Sequence, residues 1–136
     1  MDIRIFTIED ENAVIELWQN CDLLRPWNNP KLDIARKMKV NPELFLVGTL
    51  KGKIIATAMG GYEGHRGWVN YLAVDPAYQR KGFGRQIMLE IEKRLIAADC
   101  PKINLQVRIG NTRALEFYRR IGYQTDDVVS LGKRLI

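Results

Sequence analysis

The segment from Val69 to Arg85 constrains this chain more than any other. An apolar run, Val69 to Val74, ends in Asp75-Pro76. A loop with two glycines and three cations follows, Gly82 and Gly84 among Arg80, Lys81 and Arg85. A long helical pattern then starts at about Arg85. Strand, basic glycine loop and helix in that order build an anion cradle. The first N–H groups of a helix have no intrahelical partner, and the helix dipole places partial positive charge there. Glycine allows an oxyanion to approach the backbone. The expected guest is a phosphate or pyrophosphate.

The remaining elements follow from periodicity. Ile3 and Ile5 alternate in a first strand. Thr7 reads as the N-cap of a helix running to about Cys21, with Ala13, Val14, Leu17 and Trp18 at helical spacing. Asn29-Pro30 opens a second helix that reaches about Lys39, and Trp27 in the intervening loop reads as a packed loop anchor. Strands are expected over Leu44–Leu50, Ile54–Tyr62 and Trp68–Val74, joined by turns at Lys51-Gly52-Lys53 and Glu63 to Gly67. Strict alternation sends Trp68, Asn70 and Leu72 to one face of the third and Val69, Tyr71 and Ala73 to the other. A helix to about Ala98 precedes a strand at Ile103–Val107, and a crossover of this length makes that strand a parallel neighbour of Trp68–Val74. Asn111 caps a last helix to about Ile121, and short strands are expected at Tyr123–Thr125 and Val128–Leu135. The order β-α-α-β-β-β-α-β-α-β-β predicts an α+β fold with a mixed central sheet and helices on both faces.

At 136 residues and 46% hydrophobic content the chain is expected to form one domain, 1–136. No apolar stretch approaches the ~20 residues of a membrane span, and the charged, alternating start is unlike a signal peptide. Cys21 and Cys100 lack CxxC spacing and there is one His, so a reduced, cytoplasmic, metal-free protein is expected. The net charge of +5 raises nucleic acid as a ligand, but no basic run of about 5–8 residues and no zinc-finger signature occurs. An anionic small molecule is expected instead, with no nucleic acid as primary ligand and no membrane partner. Monomer and homodimer both remain open, since the apolar last strand could pair across a dimer.

Gln79-Arg80-Lys81-Gly82-Phe83-Gly84 resembles the Q/R-x-x-G-x-G/A signature of the GNAT superfamily of acyl-CoA-dependent N-acyltransferases. Asn111 to Tyr123 resembles that family's N-x-x-A-x-x-F-Y-x-x-x-G-F/Y segment, and the element order matches from Ile3 to Leu135. Within the family the chain is most similar to small bacterial enzymes near the ribosomal-protein alanine acetyltransferases. The resemblance implies a GNAT-like, mostly antiparallel mixed sheet and acetyl transfer from acetyl-CoA, a cosubstrate, to an amine without metal or covalent intermediate. It implies that Leu72 and Val74 hydrogen-bond the pantetheine arm and that Gln79, Arg80, Lys81, Gly82, Phe83, Gly84 and Arg85 form the pyrophosphate loop. Asn111 would contact the pantetheine side. Tyr118, also beside the bound cofactor, would be the general acid for the thiolate, and the backbone N–H of Val74, or one beside it, would face the oxyanion.

One departure stands out. Relatives often supply a glutamate base from the strands matching Trp68–Val74 or Ile103–Val107; here those places hold Trp68, Asn70 and Gln106, none a proton acceptor at neutral pH. The amine could reach its neutral form unaided, a water relay could start at Asn70 or Gln106, or a loop base could act. Glu63 and His65 are candidates by type, but they sit at the hairpin tip, away from the pantetheine end. Leu23 to Asn28 and the face of Trp68–Asn70 are the expected walls of the acceptor site, with Asp22, Asp33, Asp126 and Asp127 as nearby acids. The rival reading is an acyl-CoA-binding regulatory module without turnover. A nucleotide-binding reading is weak, because the loop lacks G-x-x-x-x-G-K-[ST].

Overall fold

Short polar turns fold residues 45–74 into a three-stranded meander. In the computed structural model, which describes residues 1–136, strands β1 (Asp2–Ile5), β2 (Phe45–Leu50), β3 (Lys53–Tyr62) and β4 (Gly67–Val74) pair antiparallel in that order, and β5 (Ile103–Asn104) pairs parallel to β4. The β2–β3 turn is a two-residue hairpin, with Lys51 at φ 51° and Gly52 at φ 78°, the positive pair that matches strand twist.

Four helices accompany the sheet: α1 (Glu11–Asn20), α2 (Pro30–Lys37), α3 (Phe83–Ala97) and α4 (Thr112–Arg120). Their starts follow local chemistry. Thr7 and Asp10 form a reciprocal capping box at the 3-10 turn that leads into α1. Asn29 Oδ1 accepts from the Lys31 and Leu32 N–H groups, with Pro30 at the first helical position of α2.

The chain divides into two compact units, Met1–Gln106 and Val107–Ile136. In the first, helices cover both faces of the sheet. Trp18 of α1 donates from Nε1 to Thr57 Oγ1 at 2.9 Å. Three residues along β3, on the opposite face, Gly60 lies against Ile91 of α3. A Cβ on Gly60 would stand 3.0 Å from Ile91 Cδ1 and 3.2 Å from Leu44 O, so the two neighbours leave little room for a side chain there. The α1 face is built from Phe6, Val14, Trp18, Ile34, Phe45 and Val47, all buried. Ile87, Met88, Ile91 and Leu95 of α3 are buried on the other side. Each large side chain so buried contributes about 1.5–3 kcal/mol.

The second unit holds α4. It ends in a Schellman motif: Tyr123 N–H bonds Tyr118 O at 2.9 Å, Gly122 N–H bonds Arg119 O at 3.1 Å, and Gly122 takes φ 101°. No strand follows. The expected pair at Tyr123–Thr125 and Val128–Leu135 is absent from the sheet, whose order stops at β5. Alternation specifies which side chains share a face; a strand also needs a second backbone to satisfy its N–H and C=O groups. For the same reason β5 is shorter than the expected Ile103–Val107. Helices α1 and α2 end at Asn20 and Lys37, each slightly earlier than their apolar spacing suggested.

The largest correction lies in β4. Met59 pairs with Asn70 and Thr57 with Ala73, so one extra residue is accommodated between them. Tyr71 takes φ 51° there, a left-handed conformation unusual for an aromatic residue. Strict alternation therefore fails. Val69 pairs with Gly60 on the α3 face, whereas Tyr71 stacks on Trp18 on the α1 face, centroids 3.8 Å apart and 11° from parallel.

Candidate active site

Three features of the first unit converge at the end of β4. The first is an open strand edge. The parallel ladder with β5 covers only Gly67↔Ile103 and Trp68↔Asn104. From Val69 onward β4 has no partner from β5. On the other side, Asp75 N–H donates to Ile55 O at 2.8 Å and Val74 lies opposite Ala56. In an antiparallel ladder that arrangement turns the N–H and C=O of Val74 away from β3, toward the open edge.

The carbonyl of Val74 is already engaged. It accepts from Gln79 Nε2 at 2.9 Å and from Cys21 Sγ at 3.2 Å. Burial pushes the Cys21 thiol up, Asp75 adds to the rise, and the thiol acts as a donor. Val74 therefore offers its N–H, but not its carbonyl, to a ligand lying along the edge. Leu72, two residues earlier, is half-buried on the same strand.

The second feature is the loop. Asp75 Oδ1 accepts from Ala77 N–H at 2.9 Å and fixes the turn out of β4. Arg80 at φ 63° and Gly82 at φ 85° then swing the chain into α3. Gly82 is the N-cap and has no side chain with which to bond the helix. The first-turn N–H groups of Phe83, Gly84 and Arg85 thus remain available, and Gln86 N–H is the first to find a backbone partner, Gly82 O at 3.0 Å. No atom lies within 4 Å of a Cβ built on Gly82, so its conformation, rather than crowding, calls for glycine. Arg80, Lys81 and Arg85 are exposed around this cradle. Sequence reasoning missed a fourth cation: Lys53 Nζ lies 3.6 Å from Asp75 and 5.8 Å from the centroid of Tyr78, whose ring Lys81 also approaches at 5.6 Å.

The third feature is the bulge and its support. Thr57 Oγ1 accepts from Trp18 Nε1 at 2.9 Å and donates to Tyr71 O at 2.8 Å. Tyr71 Oη donates to Asp33 Oδ2 of α2 at 2.6 Å, and burial together with that carboxylate holds the phenol protonated. Lys37, also of α2, donates from Nζ to Gly60 O, and burial lowers its ammonium pKa. Exposed Trp68 and Asn70 belong to this α1–α2 face, across from Gly61 and Met59. No sequence motif marks Tyr71, Thr57 or Asp33; only the broken alternation of β4 would have shown them.

Other expectations fare unevenly. Trp27 is 51% exposed and, with Ile15, Pro26, Asn28 and Pro30, lines an open cavity of about 480 Å³, so it is not a buried anchor. Glu63 Oε1 accepts from the N–H groups of His65 and Arg66, which hold its carboxyl below the usual range. Its role is to close the β3–β4 turn. Gln106 is exposed, two residues beyond β5.

In the second unit, Asn111 Oδ1 accepts from Ala114 N–H at 3.1 Å and caps α4. Tyr118 is half-buried, edge-on to Phe117 at 5.1 Å and to Tyr123 at 5.6 Å. Burial pushes its phenol up to about 12, which keeps it protonated.

An anion cradle after a bulged, open-edged strand is one decisive observation; the other is a family model. The model of the Acetyltransferase (GNAT) family matches residues 11–123, across both units. The chain belongs to the GNAT acetyltransferase family. An acetyltransferase of Yersinia pestis (strain Pestoides F) is 50% identical over 136 residues, covering 100% of this GNAT chain and 96% of that one. The ribosomal-protein-S18-alanine N-acetyltransferase from Escherichia coli has a TM-score of 0.75 at 26% identity, covering 89% of this chain and 76% of its own. The PaiA N-acetyltransferase from Thermoplasma acidophilum, solved with coenzyme A, shares the GNAT fold at a TM-score of 0.76 and 20% identity, covering 94% and 92%. The protein is thus a GNAT acetyltransferase, and no helix in it is long and apolar enough to cross a membrane.

Proposed function

We propose that this GNAT enzyme moves an acetyl group from acetyl-CoA to a primary amine, a peptide N-terminus or a small molecule, and that residues 1–136 act together as one catalytic domain. The observation that carries the reading is the start of α3, with no side-chain cap, after the Gln79–Gly82 turn, with exposed Arg80, Lys81 and Arg85 in the loop and first turn and Lys53 beside Asp75 and Tyr78. Free N–H groups with a helix dipole suit a pyrophosphate. Pantetheine amides suit the open edge of β4, with Leu72 and the Val74 N–H as partners. That one family model spans both units supports their acting as one domain. The solved relative bearing coenzyme A and the alanine N-acetyltransferase relative support donor and acceptor class respectively.

In this reading the neutral amine attacks the thioester carbon. The carbonyl oxygen gains charge and meets the Val74 N–H, already turned to the edge. Collapse breaks the C–S bond, and Tyr118, held as the phenol, gives its proton to the sulfur. Asn70 and Gln106 are neutral amides able to orient water near the acceptor. Asn111 caps α4 and thereby holds the start of the helix that bears Tyr118. Calorimetric titration tests donor binding: CoA is expected to bind and ATP to compete only weakly, whereas tight ATP binding unaffected by CoA would overturn this reading.

A further inference from the structure

We propose that Asp33 is the proton acceptor for the amine, and that Tyr71 is the positioning residue that holds it. The inference rests on the acetyl-transfer reading of the same site. Neither β4 nor β5 offers a carboxylate where one is needed, and Glu63 is committed to its turn. Asp33 comes instead from α2. Its Oδ2 lies 2.6 Å from Tyr71 Oη. Tyr71 is the bulge residue, inside the stretch of β4 that β5 leaves unpaired and one residue before Leu72. The phenol therefore ties a carboxylate of α2 to the bulge of β4.

The surroundings suit a base rather than an ion-pair partner. No lysine or arginine forms a salt bridge with Asp33. The one cation of its helix turned toward the sheet, Lys37, is spent on Gly60 O. Across the core shared with Ile34, α1 contributes apolar Val14, Leu17 and Trp18. From β4 the group facing Asp33 is the Tyr71 phenol, which occupies one oxygen and leaves the other able to receive a proton. Asp33 also stands one helical turn from Pro30, which lines the Trp27 cavity of about 480 Å³. Lys31 also lines that cavity, and it forms no salt bridge with Asp33.

The step balances simply. An alkylammonium R–NH3⁺ transfers one proton to the Asp33 carboxylate, giving R–NH2 with its lone pair free and a neutral carboxylic acid. The acid then returns the proton to water.

Asp33→Asn is the direct test, because the amide oxygen still accepts from Tyr71 and keeps the contact. The readout is thiol release against pH with the best amine of a panel, together with CoA affinity and Tm. Asp33→Asn is expected to lower kcat/KM at pH 7 by about 10²-fold or more. The loss should shrink as pH rises toward the pKa of the amine, with CoA affinity and Tm near wild type. Tyr71→Phe should lose about 10-fold or more, the worth of one hydrogen bond to a charged group. A pH profile of Asp33→Asn superimposable on wild type overturns the assignment alone. A fall in Tm and CoA affinity matching the loss of activity overturns it in favour of a structural role. Wild-type protein that releases no thiol with any amine overturns the acetyl-transfer reading and this assignment together.

Discussion

The side-chain amide of Gln79 donates to the carbonyl of Val74 at 2.9 Å, tying the basic loop back to the strand it leaves. One contact thus joins the proposed pyrophosphate cradle to the proposed oxyanion donor. It also ensures that Val74 presents its N–H, and not its carbonyl, to a ligand.

Removing that tie should loosen the cradle without dismantling the fold. Gln79 is exposed and contributes one hydrogen bond, worth about 0.5–1.5 kcal/mol. Gln79→Ala is expected to weaken CoA binding by about 2–10-fold in a calorimetric titration, with Tm unchanged. Unaltered affinity would show that the loop holds its shape without Gln79.

The phenol of Tyr118 should matter to turnover far more than to binding. Tyr118→Phe removes only the hydroxyl, so CoA affinity should stay within a few-fold while kcat falls by about 10²-fold. Burial pushes the phenol up to about 12. The acid form therefore persists through neutral and mildly alkaline pH, and wild-type kcat should show no descending limb from this group below pH 10. The sign for stability agrees: a pKa raised on folding contributes stability that is present below pH 10 and lost as pH rises toward 12. Equal losses in kcat and in CoA affinity would contradict the acid role.

Thr57 is expected to be the most sensitive support of the bulge. It is fully buried and links Trp18 Nε1 to Tyr71 O. Thr57→Val keeps the shape and strands both partners, which should cost about 2–3 kcal/mol, a fall in Tm of roughly 6–15 °C. A neutral substitution would mean that Tyr71 keeps φ 51° without this bond.

The fold was legible where local chemistry decides it. Thr7, Asn29-Pro30 and Asn111 mark helix starts because a side-chain oxygen or a fixed φ acts within one turn. Lys51-Gly52 marks a hairpin for the same reason. The cradle was legible too, since a strand, a glycine and a helix start suffice to define it. The bulge was not. Tyr71 sits in a run whose alternation looks unbroken, and its positive φ is sustained by Thr57 and Trp18, far away in sequence. Asp33 was visible only as one nearby acid among four, because its relation to Tyr71 depends on how α2 packs. The last two strands were overread: Val128 to Leu135 has the pattern of a strand, but a pattern names no partner.

At the far edge of the sheet, Arg4 should report acid stability. Its guanidinium makes two bonds to Asp10, at 2.7 and 2.9 Å, and holds that carboxyl below its ordinary value of 3.8. The unfolded chain binds the proton more readily, so this stability is complete above about pH 4 and is lost as pH falls through the lower folded value. Arg4 is half exposed and screened by water, so Asp10→Asn should cost about 1 kcal/mol at pH 7. Denaturant curves should show the gap from wild type closing in acid; a gap that is constant with pH would contradict the assignment.

The central claim is amine-dependent acetyl transfer on the β4 edge. Thiol release from acetyl-CoA, followed against a panel of N-terminal peptides, polyamines and small primary amines, tests it most directly. The account predicts release above the no-amine rate for at least one primary amine, with the matching N-acetyl product. CoA binding with no release across the panel would contradict it and leave a binding module in its place.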